Sequence, residues 1–334
     1  MEKLLEIKNL ETAFRIKDDY FNAVDKVSLD LYKNEVLAIV GESGCGKSTL
    51  ATTIMRLHNE NLTKSTGEII FNGKNILDLT EDEMNKIRTK DIGMIFQDPL
   101  SSLNPLHRIG KQIEEALIYH TELSAEERQK RVIELLTQVG IPNPERCAKQ
   151  YPHELSGGMR QRVMIAMAMS CKPSVLIADE PTTALDVTIQ AQILDLIKGL
   201  QAEMHAGIIL ITHDLGVVAE MADRVAVLYA GEVVEIGTAE QIFKNPKHPY
   251  TRSLLRSIPQ IDDEEAGDDL YVIQGMVPSL KTLDRQGCRF ANRISWVKHE
   301  DHEHNPTLHE VEEGHHVRCT CYKNFEFEGE ENNA

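Results

Sequence analysis

The residues best suited to chemistry form a glycine-bearing turn between an apolar segment and the start of a predicted helix. They are Gly41, Glu42, Ser43, Gly44, Cys45, Gly46, Lys47 and Ser48, followed by Thr49. Glycines let the backbone curl around phosphate oxygens, and the N–H groups at a helix start attract anions. Lys47 can then reach the β and γ phosphates, while Ser48 can hold Mg²⁺. The spacing predicts a loop that binds a nucleoside triphosphate.

Polar side chains follow three short apolar segments of the kind that form buried strands. They are Asp179 and Glu180 after 175–178, Gln97 after 92–96, and His213 after 209–212. Asp179 can hold Mg²⁺ through water, and Glu180 can polarise an attacking water as a general base. Gln97 can contact Mg²⁺ without adding charge, and His213 can hydrogen-bond a γ-phosphate. A single polar residue at the end of a strand is common on protein surfaces. Together with the phosphate loop, these four residues predict a hydrolytic site.

The elements that position these residues alternate between strands and helices. Alternating or continuous apolar runs predict strands at 4–10, 27–31, 35–40, 175–178 and 208–212, and a hairpin over 225–233 that turns at Gly231. Apolar spacings of three and four predict helices at 48–57, 109–119 and 125–139. Ser124 and Glu127 fit a capping box at the start of the last helix. The order predicts a twisted α/β core with a helical insertion.

Composition bounds the class of protein. The chain has 334 residues, 41% of them hydrophobic and 27% charged, with a net charge of −17. No apolar run is long enough for a membrane span, and no secretory signal is recognised at the start. The negative charge argues against nucleic acid as the main ligand. Six scattered cysteines indicate free thiols in a reducing compartment, and the acidic runs 262–265 and 326–331 indicate a solvated linker and tail.

Sulfur-bearing side chains leave two interpretations open. Cys45 occupies a slot of the phosphate loop where a small residue is tolerated, and the alternative is a reactive thiolate at the helix start. Four methionines follow the second glycine-bearing turn, at Met159, Met164, Met167 and Met169. Their spacing fits a helix packed into the core better than a metal site.

Taken together and in this order, the motifs resemble the ATP-binding-cassette (ABC) ATPases. The second turn, Leu155 to Gln161, matches the signature of that family, and Asp186 matches its D-loop. The resemblance implies a P-loop NTPase core with an antiparallel β subdomain and a helical subdomain at about 98–172, plus a small C-terminal domain. It places the ATPase domain at 1–245 and the extension at 246–334. It also implies that ATP is sandwiched between two subunits, with one subunit's signature residues Ser156, Gly157, Gly158 and Gln161 acting on its partner's nucleotide.

Finer sequence features resemble the oligopeptide/dipeptide permease subgroup. They are the segments 96–105, 152–154, 181–188, 213–220 and 246–251. The resemblance implies an ATP-hydrolysing, Mg²⁺-dependent subunit on the cytoplasmic face of the membrane that energises oligopeptide import. It further implies a second, related ATPase subunit, two transmembrane permease subunits that contact the helical insertion, and an extracellular peptide-binding protein. The same motor could instead serve dipeptides, nickel or another small solute.

A soluble ABC protein that acts on ribosomes or DNA is a more distant alternative. Proteins of that kind usually carry two cassettes in one chain or a long coiled coil, and this chain has one cassette with no room for a long coiled coil inside it. The sequence therefore favours the importer motor.

Two features depart from the subgroup pattern. Phe14 has the spacing of the aromatic residue that stacks on adenine, but Tyr20 and Phe21 compete with it. In the tail, two of the four cysteine positions that hold an iron–sulfur cluster in some members are Ile294 and Asp301 here, which argues against a cluster. Other potential ligands are His299, His302, His304, His309, His315, His316, Cys319 and Cys321. A zinc site is one interpretation of them, and a solvated tail is the favoured one.

Overall fold

The structure is a computed structural model that describes residues 2–183, 185–257, 272–294 and 302–323. Its strands are β1 Lys3–Ile16, β2 Asp19–Tyr32, β3 Val36–Val40, β4 Thr63–Phe71, β5 Lys74–Asn75, β6 Ile92–Ile95, β7 Val175–Asp179, β8 Gly207–Ile211, β9 Arg224–Tyr229, β10 Glu232–Thr238, β11 Leu308–Glu312 and β12 His315–Arg318. Within the described ranges, the strands form a four-stranded sheet and an eight-stranded sheet.

The eight-stranded sheet is mixed and has the order β11-β12-β10-β9-β3-β8-β7-β6. Strands β6, β7, β8, β3 and β9 run parallel, while β10, β12 and β11 are added antiparallel. The β9–β10 hairpin turns at Ala230 and Gly231, as the sequence predicts. Because parallel strands end at the same edge, the segments that follow β3, β6, β7 and β8 meet there.

The smaller sheet is antiparallel, with the order β2-β1-β4-β5. The two strands predicted at 4–10 and 27–31 are parts of the longer β1 and β2. Asn9 and Lys26, both at positive φ, lie where the register of the β1–β2 pair shifts. The added length carries Phe14 and Phe21, which are paired across the two strands.

The helices are α1 Lys47–Ile54, α2 Glu81–Ile87, α3 Pro99–Ser102, α4 Ile109–His120, α5 Ala125–Gln138, α6 Pro144–Cys147, α7 Gly157–Ala168, α8 Val187–Met204, α9 Leu215–Met221, α10 Ala239–Lys244 and α11 Pro249–Arg256. The predicted helices at 109–119 and 125–139 are α4 and α5, each within a residue of its predicted end. The capping box is present: Ser124 accepts a hydrogen bond from the Glu127 N–H, and Glu127 accepts one from the Ser124 N–H. No described helix combines the length and the apolar character that crossing a bilayer requires.

Alternation along β3 assigns its side chains to different hydrophobic clusters, because successive residues of a strand point to opposite faces. Leu37 and Ile39 pack toward α1 and the antiparallel sheet. Ala38 and Val40 pack toward Tyr250 and the C-terminal residues. A further cluster joins α4, α5, α7 and α8 to the far end of the main sheet. The phosphate loop therefore follows a strand that is covered on both faces.

The C-terminal residues correct the prediction of a solvated tail. Strand β12 pairs with β10, and its His315 is completely buried. The His315 Nε2 atom lies 2.8 Å from Glu235 Oε1, and Glu235 is completely buried as well. Cys319 and Cys321 are also buried, against Tyr250 and Phe290. The error arose because short strands that join an existing sheet need little periodicity of their own. The acidic runs 262–265 and 326–331 lie outside the described residues.

Replacing Glu235 with alanine should lower the free energy of unfolding by about 3 kcal/mol, because each buried donor left without a partner costs about 1–3 kcal/mol. Its carboxylate accepts the N–H groups of Lys247 at 2.7 Å and His248 at 2.9 Å besides the contact with His315. Denaturant unfolding would measure the loss. Glu240→Ala is the matched control, since it removes only an exposed ion pair with Lys244. Equal stability of the two variants would contradict the prediction.

Candidate nucleotide site

The phosphate loop joins the end of β3 to the start of α1, as the sequence predicts. Lys47 is the first residue of α1, and its side chain is buried. Its Nζ donates to the carbonyl oxygens of Gly41 at 2.7 Å and Glu42 at 3.0 Å. Carbonyl oxygens of the loop thus hold the ammonium group beside the place where phosphate oxygens would bind.

Gly46 shows why this loop needs glycine. Its φ is +107°, which side-chain-bearing residues rarely adopt, and a Cβ there would lie 2.5 Å from the carbonyl oxygen of Ala23. The loop also rests on the β9–β10 turn, since the Gly231 N–H donates to the Cys45 carbonyl at 2.8 Å. Strand β2 and the hairpin therefore support the loop from outside.

Strand order places the predicted polar residues around the loop. β3 neighbours β8, β8 neighbours β7, and β7 neighbours β6, so His213, Asp179, Glu180 and Gln97 all follow adjacent strands at one edge. The Ser48 hydroxyl donates to Asp179 Oδ1 at 3.0 Å, which joins α1 to β7. Burial raises the pKa of Asp179 above the ordinary value of an aspartate.

Glu180 is the centre of the polar contacts. Gln97 Nε2 donates to its Oε2 at 2.8 Å, and the Thr183 hydroxyl donates to the same oxygen at 2.9 Å. His213 Nδ1 lies 3.3 Å from its Oε1. Glu180 also has a φ of +46°, a strained conformation that tends to persist at functional sites. Two predicted residues, Gln97 and His213, therefore converge on the predicted base, and Thr183 is a further contact that the sequence analysis missed.

The donor set at the strand ends suits a magnesium ion. Ser48 supplies a hydroxyl oxygen, Asp179 a carboxylate and Gln97 an amide oxygen, and Mg²⁺ prefers oxygen ligands of this kind in combination with substrate phosphates. The 3.0 Å contact between Ser48 and Asp179 shows that two of these side chains meet at one point. When bound, the ion would neutralise developing charge on the phosphates.

The signature turn lies at the start of α7 and faces outward. Ser156 caps the helix by accepting the Met159 N–H at 3.3 Å, and Gly157 is exposed, with no described atom within 4 Å of where a Cβ would lie. Gln161 differs, because it is buried and its Nε2 donates to the Pro181 carbonyl at 2.5 Å. This contact joins the signature helix to the segment after Glu180. The predicted action of the turn on a second subunit's nucleotide stays a prediction.

The D-loop residue Asp186 caps α8, where its Oδ1 accepts the Ile189 N–H at 2.9 Å. Ile189 also approaches the signature turn: its Cγ2 is 3.2 Å from where a Cβ on Gly158 would be. The D-loop and the signature turn are therefore neighbours on one subunit. The connection of two sites through Asp186 stays a prediction.

The two interpretations of the sulfur-bearing residues are now distinguishable. Cys45 is 1% exposed, and burial raises the pKa of its thiol, which argues against the reactive-thiolate alternative. Among the four methionines, Met164 and Met169 are buried, and Met159 and Met167 pack against the same helical cluster. They belong to the core, as the sequence favours.

The adenine-stacking residue stays open. The ring of Phe14 meets His58 edge-on, with 5.1 Å between centroids. Tyr20 lies under the Lys64 ammonium group, with Nζ 4.0 Å from the ring centroid. Phe14 and Phe21 are directly paired between β1 and β2 and are both partly exposed. Phe14 remains the predicted partner of adenine.

Cys288, Cys319 and Cys321 lie close to one another in the described part of the tail. A hydrogen bond with Cys319 lowers the pKa of the Cys288 thiol, and Cys321 Sγ lies 3.7 Å from His302 Nδ1. Among the described residues, no group of three or more histidine, cysteine, aspartate or glutamate side chains is arranged to hold a metal ion. The zinc interpretation therefore gains no support. Ile294 is buried apolar core, while His299 and Asp301 lie outside the described residues. The absence of an iron–sulfur cluster stays a prediction.

Comparisons with known families place both parts of the chain. Residues 24–183 match the family model described as ABC transporter, and residues 234–298 match the one described as oligopeptide/dipeptide transporter, C-terminal region.

Relatives that match over most of their length agree with these two family assignments. The oligopeptide transport ATP-binding protein OppD of Lactococcus lactis subsp. cremoris is 54% identical over 98% of this chain and 96% of its own length. OppD of Bacillus subtilis is 51% identical over 95% of this chain and 88% of its own length. The dipeptide transport ATP-binding protein DppD of B. subtilis is 52% identical over 88% of this chain and 87% of its own length.

Solved structures support the predicted fold class. The dimeric ATP-binding cassette MJ0796, in a post-hydrolysis state bound to ADP and Pi, superposes with a TM-score of 0.64 at 33% identity, covering 71% of this chain and 99% of that one. CbiO1 of Clostridium perfringens, part of an ABC transporter complex, gives a TM-score of 0.62 at 30% identity, covering 73% and 92%. The mixed sheet, the antiparallel sheet and the helical insertion are thus the ABC ATPase core, and this chain belongs to the ATP-hydrolysing subunits of ABC transporters.

Proposed function

We propose that this chain is the motor subunit of an importer that takes up oligopeptides at the expense of ATP. The observation that carries the proposal is the meeting, at one sheet edge, of the phosphate loop with a strained Glu180 contacted by Gln97, Thr183 and His213. The names of three similar relatives, which are oligopeptide transport ATP-binding proteins, support the cargo.

Each residue at the edge then has a role. The loop 41–49 cradles the phosphates, Lys47 lies against their outer oxygens, and Ser48, Asp179 and Gln97 hold Mg²⁺. Glu180 accepts a proton from the attacking water as general base. His213, whose ring is at Glu180, contacts the γ-phosphate and registers its loss. Catalysis is thus mainly positioning and charge stabilisation.

A second ATPase subunit completes the site in this proposal. Ser156 and Gly157 are exposed at the start of a helix, where hydroxyl and N–H groups can donate to an anion. The contacts of the phosphate loop described above include neither Ser156 nor Gly157. These two residues therefore have no role in the phosphate cradle of their own subunit. The dimeric state of the MJ0796 cassette supports the arrangement. We propose a related chain rather than an identical one as the partner.

Two membrane permease subunits would dock on the helical insertion, which holds the chain at the cytoplasmic face of the membrane. The insertion begins directly after Gln97, so a force on it reaches the nucleotide site. It exposes large apolar side chains, with Leu100 60%, Leu106 80% and Tyr119 77% exposed. Such residues favour a protein partner over water. An extracellular peptide-binding protein would deliver the cargo to the permease subunits. The proposed domain bounds are 1–245 for the ATPase domain and 246–334 for the extension.

Uptake in cells tests the motor role and the cargo together. Cells that lack the gene would receive the wild-type chain or the Glu180→Gln form, and uptake of labelled oligopeptides, dipeptides and nickel would be measured in parallel. Loss of oligopeptide uptake alone is the expected result. Loss of dipeptide or nickel uptake alone would overturn the proposed cargo but keep the motor. Normal uptake of all three would overturn the role in their import.

A further inference from the structure

The phosphate loop is held by the C-terminal extension at one residue, Glu42. The Glu42 N–H donates to the hydroxyl of Tyr250 at 2.8 Å. Its carboxylate accepts two hydrogen bonds from the Arg293 guanidinium, at 2.6 and 3.0 Å. Its carbonyl accepts the Lys47 ammonium at 3.0 Å. A single loop residue therefore links two segments of the extension to the lysine that faces the phosphates.

Arg293 is built to hold this position. It is 8% exposed, and its guanidinium lies 5.8 Å from the ring centroid of Tyr229 and 5.7 Å from that of Phe290. Its Nε donates to the Gln274 carbonyl at 2.7 Å. A two-pronged contact between guanidinium and carboxylate fixes both groups in orientation as well as in distance. The side chain of Glu42 therefore has little freedom to leave this contact.

Neighbouring contacts make the support rigid. Tyr250 is completely buried and packs against Tyr229, with ring centroids 4.6 Å apart, and against Phe290 at 5.2 Å. Tyr229 ends β9, the strand beside β3. Tyr250 and Arg293, which hold Glu42, thus pack against the same sheet that carries the phosphate loop.

We propose that Arg293 is a positioning residue of the ATPase, which holds Glu42 so that the phosphate loop keeps the conformation that receives ATP. The inference rests on the proposed role of the loop. It assigns the extension a part in nucleotide binding besides its packing against the sheet. Arg293 acts through Glu42 and Lys47.

The test measures ATP affinity on the intact chain with a fluorescent ATP analogue, together with thermal unfolding. Arg293→Gln should weaken binding at least about fivefold, the lower end of typical coupling between two sites. Glu42→Gln should weaken it similarly, and the double variant should be no weaker than either single one, because both changes remove the same contact. In the assembled transporter, KM for ATP should rise more than kcat falls.

Arg318→Gln is the matched control. Arg318 also anchors the extension, through the carbonyl oxygens of Val233 at 2.9 Å and Pro306 at 3.2 Å. Arg318 also pairs with Glu232, with 3.6 Å between Nη1 and Oε1. None of these three contacts is to a residue of the loop 41–49, so ATP affinity should not change. Arg293→Lys keeps the positive charge but loses the two-pronged contact with the Glu42 carboxylate, so this variant should bind ATP with intermediate affinity. It replaces Arg293→Gln in the test if the glutamine variant does not fold.

Three results would overturn the inference: unchanged affinity in a folded Arg293 variant, additive effects of the two single changes, or equal weakening by Arg318→Gln. These results differ from failure of the proposed function itself. In that case the wild-type chain would neither bind the analogue nor support hydrolysis in the assembled transporter.

Discussion

Replacing Glu180 with glutamine should leave ATP binding intact and slow hydrolysis by at least about a hundredfold, the usual contribution of a general base. Glutamine keeps the shape of the side chain and its contacts with Gln97 and Thr183, but its amide cannot accept a proton from water. In wild type both of those residues donate to Oε2, which leaves Oε1 toward His213. Single-turnover hydrolysis in the assembled transporter measures the chemical step apart from product release.

The control for this variant is Glu122→Gln, the same chemical change at an exposed loop residue between α4 and α5. It should hydrolyse ATP at the wild-type rate. A Glu180→Gln variant that binds ATP and retains more than a tenth of the wild-type rate would remove Glu180 as the base, since that loss is smaller than about 1.4 kcal/mol of barrier. His213 would then be the next candidate, because it is the titratable neighbour of the same carboxylate.

Local patterns sufficed to predict which residues meet at this sheet edge, because those residues follow recognisable apolar segments. A short apolar run followed by a polar residue marks the end of a buried parallel strand, and such ends share one edge of a sheet. Asp179, Gln97 and His213 could therefore be assigned before their strands were ordered. The sequence did not indicate that β8 lies between β3 and β7, because strand order depends on long-range packing.

Contacts between distant residues were the part that could not be predicted. Glu42 and Arg293 are 251 positions apart, and Glu42 and Tyr250 are 208 apart. No local periodicity links such pairs, and a charged residue in a phosphate loop is easily explained as solvated. The tail was misjudged for a related reason: β12 has only four residues, and pairing with β10 is what orders it.

Replacing Lys47 with alanine should have the second large effect, a loss of ATP affinity of at least about tenfold, since hydrogen bonds to charged groups contribute about 1.5–3 kcal/mol. In the structure the ammonium group is buried against the carbonyl oxygens of Gly41 and Glu42. Phosphate oxygens would compete for the same donors and offer negative charge in addition. Titration with ATP in the absence of Mg²⁺ isolates this contribution.

Ser48→Ala distinguishes the lysine from its neighbour. It removes the hydroxyl that donates to Asp179, so we expect ATP to bind normally without Mg²⁺ and to lose most of the gain that Mg²⁺ brings. Lys47→Ala should differ from it by binding ATP weakly both with and without Mg²⁺. If Lys47→Ala bound Mg²⁺-free ATP as tightly as wild type, the buried ammonium would serve only to brace the loop carbonyls. The binding energy would then come from the backbone N–H groups at the start of α1, whose number the substitution does not change.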